Sequence, residues 1–136
     1  MEQRDYLKDQ IDQLGKVLGM LLGRLIGTAP GEDYEQVERA VQQGVKEHLG
    51  IPFTELLDTP PEDLVVRLQQ HPGFTPENLE QLADIMVEIG KRESQEQIAR
   101  KHYTQALNIY EYLADHSRTF SLPWLEKMDH LNKLLG

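Results

Sequence analysis

Residues 14–27 read LGKVLGMLLGRLIG, and glycine recurs in this stretch at every fourth position: Gly15, Gly19, Gly23 and Gly27. A glycine inside a helix costs roughly 1 kcal/mol relative to alanine, because folding fixes its unusually free backbone and gains no side-chain contact. A helix that keeps several glycines therefore needs a compensating contact. The usual one is close approach of a second helix along the glycine strip, with leucines packing on either side.

The apolar residues around these glycines predict a first helix over about residues 3–27. Gly15 and Gly19 lie beside its leucine seam and share a strip with Leu22 and Ile26, so the helix offers two contact strips. The seam itself follows the alternating four-and-three spacing of a coiled coil: Leu7, Ile11, Leu14, Leu18, Leu21 and Leu25. We take as candidate helix-contact residues Leu14, Gly15, Leu18, Gly19, Leu22 and Gly23.

The sequence leaves three partners open for this helix: the rest of the chain, a second copy of the chain, or a membrane surface. The run 14–26 does not predict a membrane span, because it is short and Lys16 and Arg24 interrupt it. Acidic residues among its first turns disfavour a membrane surface, since interfacial helices favour a basic polar face. The first residues lack the basic segment of a secretory signal, so we expect a cytoplasmic protein.

The remaining sequence also predicts helices, and no run of alternating β-branched or aromatic residues indicates a strand. We expect a single all-α domain over 1–136, a bundle or array of five to six helices. Residues 1–27 form the N-terminal helix, either protruding or packed, and residues 32–136 form the helical body. Four side chains are predicted to cap helices: Thr59 and Ser94, each three residues before a Glu or Gln, together with Thr75 and Ser121.

Charge is concentrated in the middle of the chain. The formal net charge is -9, and residues 28–90 hold thirteen acidic against three basic residues. Such a surface repels phosphate backbones, which argues against nucleic acid as a partner. The absence of cysteine excludes disulfides and thiolate metal sites.

No pattern of catalytic or cofactor-binding residues emerges. None of the five histidines stands three residues after a glutamate, the spacing that di-iron bundles use, and the glycines lack the lysine and hydroxyl of a phosphate-binding loop. We therefore expect no catalytic residue, no metal and no cofactor. Tyr103 and Tyr110, seven residues apart on one apolar face, are expected in the core or at the edge of a groove that binds a peptide.

Two resemblances add to this picture. The pattern Leu82-x-x-Ile85, followed by Tyr103-x-x-Ala106-Leu107-x-x-Tyr110, resembles the two halves of a tetratricopeptide repeat. The resemblance implies a helix pair, closed by the last helix, that presents a groove to a peptide or protein. The chain start, Asp5-Tyr6-Leu7 and the segment 13–19, resembles small bacterial all-helical proteins and implies no activity.

The sequence therefore predicts a non-enzymatic helical module that binds a protein or peptide, with self-association through the first helix as one form of it. Two alternatives stay open. The first is a peripheral membrane adaptor whose amphipathic N-terminal helix lies on the bilayer. The second is an enzyme with a small-molecule pocket that the sequence does not reveal.

Overall fold

A computed structural model describes residues 2–27, 34–117 and 121–136, and these residues form seven helices and no strand. The all-α prediction is confirmed. The helix beyond the expected five to six is α3, which the sequence predicted as no more than one turn. The helices are α1 (Glu2–Gly27), α2 (Tyr34–Leu49), α3 (Phe53–Asp58), α4 (Pro61–Gln69), α5 (Pro76–Arg92), α6 (Glu96–His116) and α7 (Leu122–Leu135).

Helix α1 packs against α2 and α5 along the second half of its leucine seam. Leu14, Leu18, Leu21 and Leu25 are buried, whereas Leu7 is exposed. The first turns of α1 therefore lie at the surface and the later turns in the core. The expected end of α1 at residues 28–31 lies outside the described residues.

Helix α1 runs parallel to α5. The Asn78 side-chain Nδ2 donates a hydrogen bond to the Ile11 carbonyl (3.2 Å), and Arg92 Nη2 donates to the Leu25 carbonyl (2.8 Å). Both pairs join residues that are 67 positions apart. The two helices therefore advance together over their whole contact, fixed at both ends by a side chain of α5.

Helices α5 and α6 form an antiparallel pair. Asp84 faces Tyr110 near one end, and Gly90 faces Tyr103 near the other. A Cβ atom on Gly90 would lie only 2.7 Å from Cε1 of Tyr103, so the ring occupies the space that a side chain at position 90 would need. Ala106 is fully buried between the two tyrosines. Small residues thus let the two backbones approach closely.

Helix α7 packs against α6, so α1, α5, α6 and α7 are neighbours in that order. Only Leu131 of α7 is fully buried, and Trp124, Met128 and Leu135 are partly buried against the core. On the other side of α6, the segment from α3 to α4 is held by Gln105. Its Nε2 donates to the carbonyls of Leu56 and Thr59, both at 2.7 Å.

Three of the four predicted caps are wrong. Ser121 does precede α7, but its side chain forms no capping hydrogen bond. The first residues of α4 and α6 follow Pro60 and Gln95, and neither helix has a side-chain cap. Thr59 instead donates to the Glu55 carbonyl (2.7 Å), because two prolines move the start of α4 one residue along the chain. Thr75 does cap α5, accepting from the Asn78 backbone N–H at 3.3 Å.

Gly90→Ala should lower the free energy of unfolding by about 1 to 2 kcal/mol, because the added methyl group displaces the buried Tyr103 ring. The matched control is Gly23→Ala in α1, where an added Cβ meets nothing within 4 Å. That variant should be more stable by roughly 0.5 to 1 kcal/mol, from helix propensity alone. Chemical denaturation measures both. Equal effects at the two positions would contradict the close approach of α5 and α6.

Candidate functional site

A groove with a cavity volume of about 450 Å³ lies between α1 and α7, with α5 and one residue of α6 as its floor. Helix α7 reaches it by packing on α6 and turning one face toward α1. The apolar part comes from all three helices, and the polar part mainly from α5 and α7. The lining residues are Leu22, Ile26, Asp84, Val87, Glu88, Lys91, Tyr110, Pro123, Glu126, Lys127, His130 and Leu131.

The α1 wall of the groove is the second contact strip of that helix. Leu22 and Ile26 stand one turn apart on it, in line with Gly15 and Gly19. Ile26 is 62% exposed, although it is a large apolar side chain at the edge of an apolar groove. The groove is therefore open along α1.

A polar network joins α7 to α5 and α6 at the other wall. Lys127 Nζ lies 3.0 Å from Asp84 Oδ1 and 3.4 Å from Glu80 Oε2, and the Tyr110 hydroxyl donates to Asp84. The Trp124 indole N–H donates to Glu80 Oε2 at 2.7 Å. Lys127 also lies 5.4 Å from the centre of the Tyr110 ring, within the range of a cation–π contact. Polar contacts thus supply much of what fixes α7.

This network shifts two pKa values upward. Burial, followed by the charge of Asp84, raises the pKa of the Tyr110 hydroxyl, so that it stays a hydrogen-bond donor. Burial alone would lower the pKa of Lys127, but its hydrogen bond to Asp84 and the charges of Asp84 and Glu80 outweigh burial and raise it. Both groups therefore keep their protons at neutral pH, and neither is a general base.

The carboxylate of Glu88, farther along the floor, is also paired. Arg92 Nη1 lies 2.7 Å from Glu88 Oε2, and Lys91 Nζ lies 3.5 Å from Glu88 Oε1. Partial burial would raise the pKa of Glu88, but the two bases outweigh it and lower the pKa. Glu88 is thus a charged, locally neutralised group at the edge of the groove.

The predicted helix-contact residues fall into three environments. Leu14 and Leu18 are buried in the core, and Leu22 lines the groove. Gly15 and Gly19 face α5 within the same chain. An added Cβ would lie 3.0 Å from Asn78 Oδ1 at the first position and 3.1 Å from Gln81 Oε1 at the second, and Gly23 is exposed and open.

The two tyrosines predicted for the core or a groove lie in different environments. Tyr110 is one of the residues that line the groove, whereas Tyr103 packs on Gly90. Sequence reasoning missed Asp84, Trp124 and Lys127. No local pattern marks them as a group, because α6 separates the acid on α5 from the base on α7 along the chain. The pairing of the helices brings them together.

Metal-binding clusters and membrane-spanning helices are both absent from the described residues. Over residues 2–27, 34–117 and 121–136, no three His, Cys, Asp or Glu residues converge in a way that would hold a metal ion. No helix in these ranges is long and apolar enough to cross a membrane. Comparison of the chain with protein-family models, curated proteins and solved structures finds no match.

His102 is a buried core residue. Its Nδ1 lies 2.8 Å from the Ile98 carbonyl, and its ring lies 5.8 Å from that of Phe53. Burial lowers the pKa of His102, and the opposing effects of the Ile98 carbonyl and of Glu93 are smaller. The imidazole therefore stays neutral in the fold, with the proton on Nδ1.

Asp84→Ala should cost about 1 to 3 kcal/mol of folding free energy, because it leaves the buried Tyr110 hydroxyl without its acceptor. Adding Tyr110→Phe to that variant should cost little more, since the hydroxyl is then absent as well. A double-mutant cycle by denaturation measures this coupling. Glu111→Ala, at an exposed position of α6, controls for the lost charge. Additive effects of the two substitutions would contradict the network.

The lowered pKa of His102 predicts a loss of stability in mild acid. The unfolded chain takes up a proton near its ordinary value of 6.5, whereas the folded chain resists it. Stability should therefore fall as the pH drops from about 7.5 to about 5. His102→Leu should lose less stability than the natural chain over that range, as followed by thermal unfolding. Identical slopes would show that His102 titrates freely in the fold.

Proposed function

We propose that this protein is a non-enzymatic interaction module, and that the groove between α1, α5 and α7 receives an amphipathic helix of another protein. One observation carries the proposal: apolar side chains of three helices line an open groove that no described segment of the chain fills. Ile26 at its edge is 62% exposed, and a helix bound in the groove would cover it.

The shape of the groove favours a helix as its occupant. The groove floor follows Asp84, Val87, Glu88 and Lys91, which make one face of α5 over two turns, about 10 Å. Helices α1 and α7 flank this face. A helix laid between them would pack on three helices at once, as a further member of a bundle does. Its leucines would contact Leu22, Val87 and Leu131.

The groove suits a small molecule less well, because most of the partly buried polar side chains that line the groove already bind other side chains of the protein. Tyr110, Lys127 and Glu88 are each paired within the chain. A typical small-molecule site combines an enclosed apolar cavity with a few polar groups free to fix the ligand. The open α1 edge suits a protein surface better than a reaction site. An enzymatic role remains the second alternative.

Charge favours a different protein over a second copy. Each copy carries a formal net charge of -9, so two copies repel each other at long range, whereas a neutral or basic partner is not repelled. The resemblance of α5 and α6 to a tetratricopeptide repeat supports the same class of function, since that family presents grooves to peptides. We also propose a cytoplasmic location, in keeping with the absence of cysteine from the sequence.

The test uses a neutral peptide with leucines at helical i, i+3, i+4 and i+7 spacing and glutamines elsewhere. Trp124 is the only tryptophan and lies beside the groove, so its fluorescence reports binding. Ile26→Lys should weaken binding about tenfold, because it removes an apolar contact and buries a charge. Val66→Lys is the matched control: Val66 is 66% exposed, on α4, outside the groove.

The alternatives give different results in the same set of measurements. Equal peptide binding by the two lysine variants would contradict the groove as the site. A mass in light scattering that doubles with concentration, and is restored to the single-chain value by Ile26→Lys, would favour self-association. Binding to neutral vesicles with no effect of the peptide would favour the membrane alternative.

A further inference from the structure

We infer that the groove selects a basic helix, a partner segment that carries lysine or arginine beside its apolar stripe and places one cationic side chain at Glu126. The inference rests on the proposed function, since it names the chemistry of the helix bound there. Three features support it: the charge balance of the groove, the environment of Glu126 and the acidity of the chain as a whole.

The charge balance at the α7 wall leaves a carboxylate in excess. One cation, Lys127, lies between two acids, at 3.0 Å from Asp84 and 3.4 Å from Glu80. The hydroxyl of Tyr110 and the indole of Trp124 donate to these acids but carry no charge. Lys127 therefore neutralises one of the two acids. About one negative charge remains beside α7 before Glu126 is counted, and it is shared with Glu80, which lies behind the groove lining.

Glu126 adds a second negative charge. It lines the groove one residue before Lys127, is exposed, and forms no hydrogen bond or ion pair with any residue that the structure describes. The other charged residues that line the groove are Glu88 and Lys91 on α5. Glu88 pairs with both Lys91 and Arg92, so these three residues carry about one positive charge at the floor of the groove. The groove is thus apolar along α1 and negatively charged along α7.

The acidity of the chain as a whole reinforces this preference over longer distances. The chain has a formal net charge of -9. A negative field of this kind speeds the approach of a basic segment and slows that of an acidic one. An amphipathic helix with lysines flanking its leucines would meet both the apolar wall and the carboxylates.

Three peptides with the same leucine stripe test the inference, with glutamine, lysine or glutamate at the other positions. The lysine peptide should bind about tenfold or more tightly than the glutamate peptide at low salt, and raised salt should reduce that difference. Glu126→Gln should weaken the lysine peptide about two- to fivefold, as expected for one exposed ion pair, and leave the glutamine peptide unchanged.

The control is Glu111→Gln, which removes the same charge from an exposed position of α6 outside the groove. It should change the affinity of the lysine peptide by less than Glu126→Gln does. Equal binding of the lysine and glutamate peptides would overturn the inference, and so would equal effects of Glu126→Gln and Glu111→Gln. In either case the groove proposal is still supported if Ile26→Lys weakens peptide binding. If none of the three peptides binds, both the inference and the proposed function fail.

Discussion

The close packing of α5 against α1 on one side and α6 on the other is the constraint on which the rest of the structure depends. At both contacts a glycine lies where an added Cβ would be crowded: 3.0 Å from Asn78 Oδ1 at Gly15 of α1, and 2.7 Å from Tyr103 Cε1 at Gly90 of α5. Two hydrogen bonds then fix how far α1 is shifted along α5, because the side chains of Asn78 and Arg92 donate to backbone carbonyls of α1. Once α5 is placed in this way, α6 determines where α7 lies, and the groove is the space left between α7 and α1.

The helical class and the core could be predicted from the sequence because both follow from local periodicity. The seam of α1 gave Leu14, Leu18, Leu21 and Leu25 as one face, and all four are buried. The capping predictions at Thr59 and Ser94 were wrong for a different reason. A capping motif indicates only which residue is able to cap a helix. At Thr59, the prolines that follow at positions 60 and 61 determine where α4 begins.

The groove could not be predicted, because it depends on the spatial order of the helices. The sequence placed Leu22 and Ile26 on a second strip of α1 but did not indicate what faces it. The glycines of the repeat likewise lie in different surroundings. Gly15 and Gly19 face amide side chains of α5, whereas a Cβ added at Gly23 would have no described atom within 4 Å. An even spacing in the sequence therefore corresponds to two environments, and only the first has an explanation within the described chain.

The network around Lys127 links the attachment of α7 to the charge of the groove. Helix α7 fully buries only Leu131, so the contacts of Lys127 and Trp124 with α5 contribute substantially to holding it in place. Those same contacts leave the carboxylates of Glu80 and Asp84 sharing one cation. A substitution at Asp84 would therefore change both stability and groove charge, and its effect on binding would be ambiguous. With the described residues, Ile26 and Glu126 make no such hydrogen bond or ion pair, so binding and folding can be separated at these two positions.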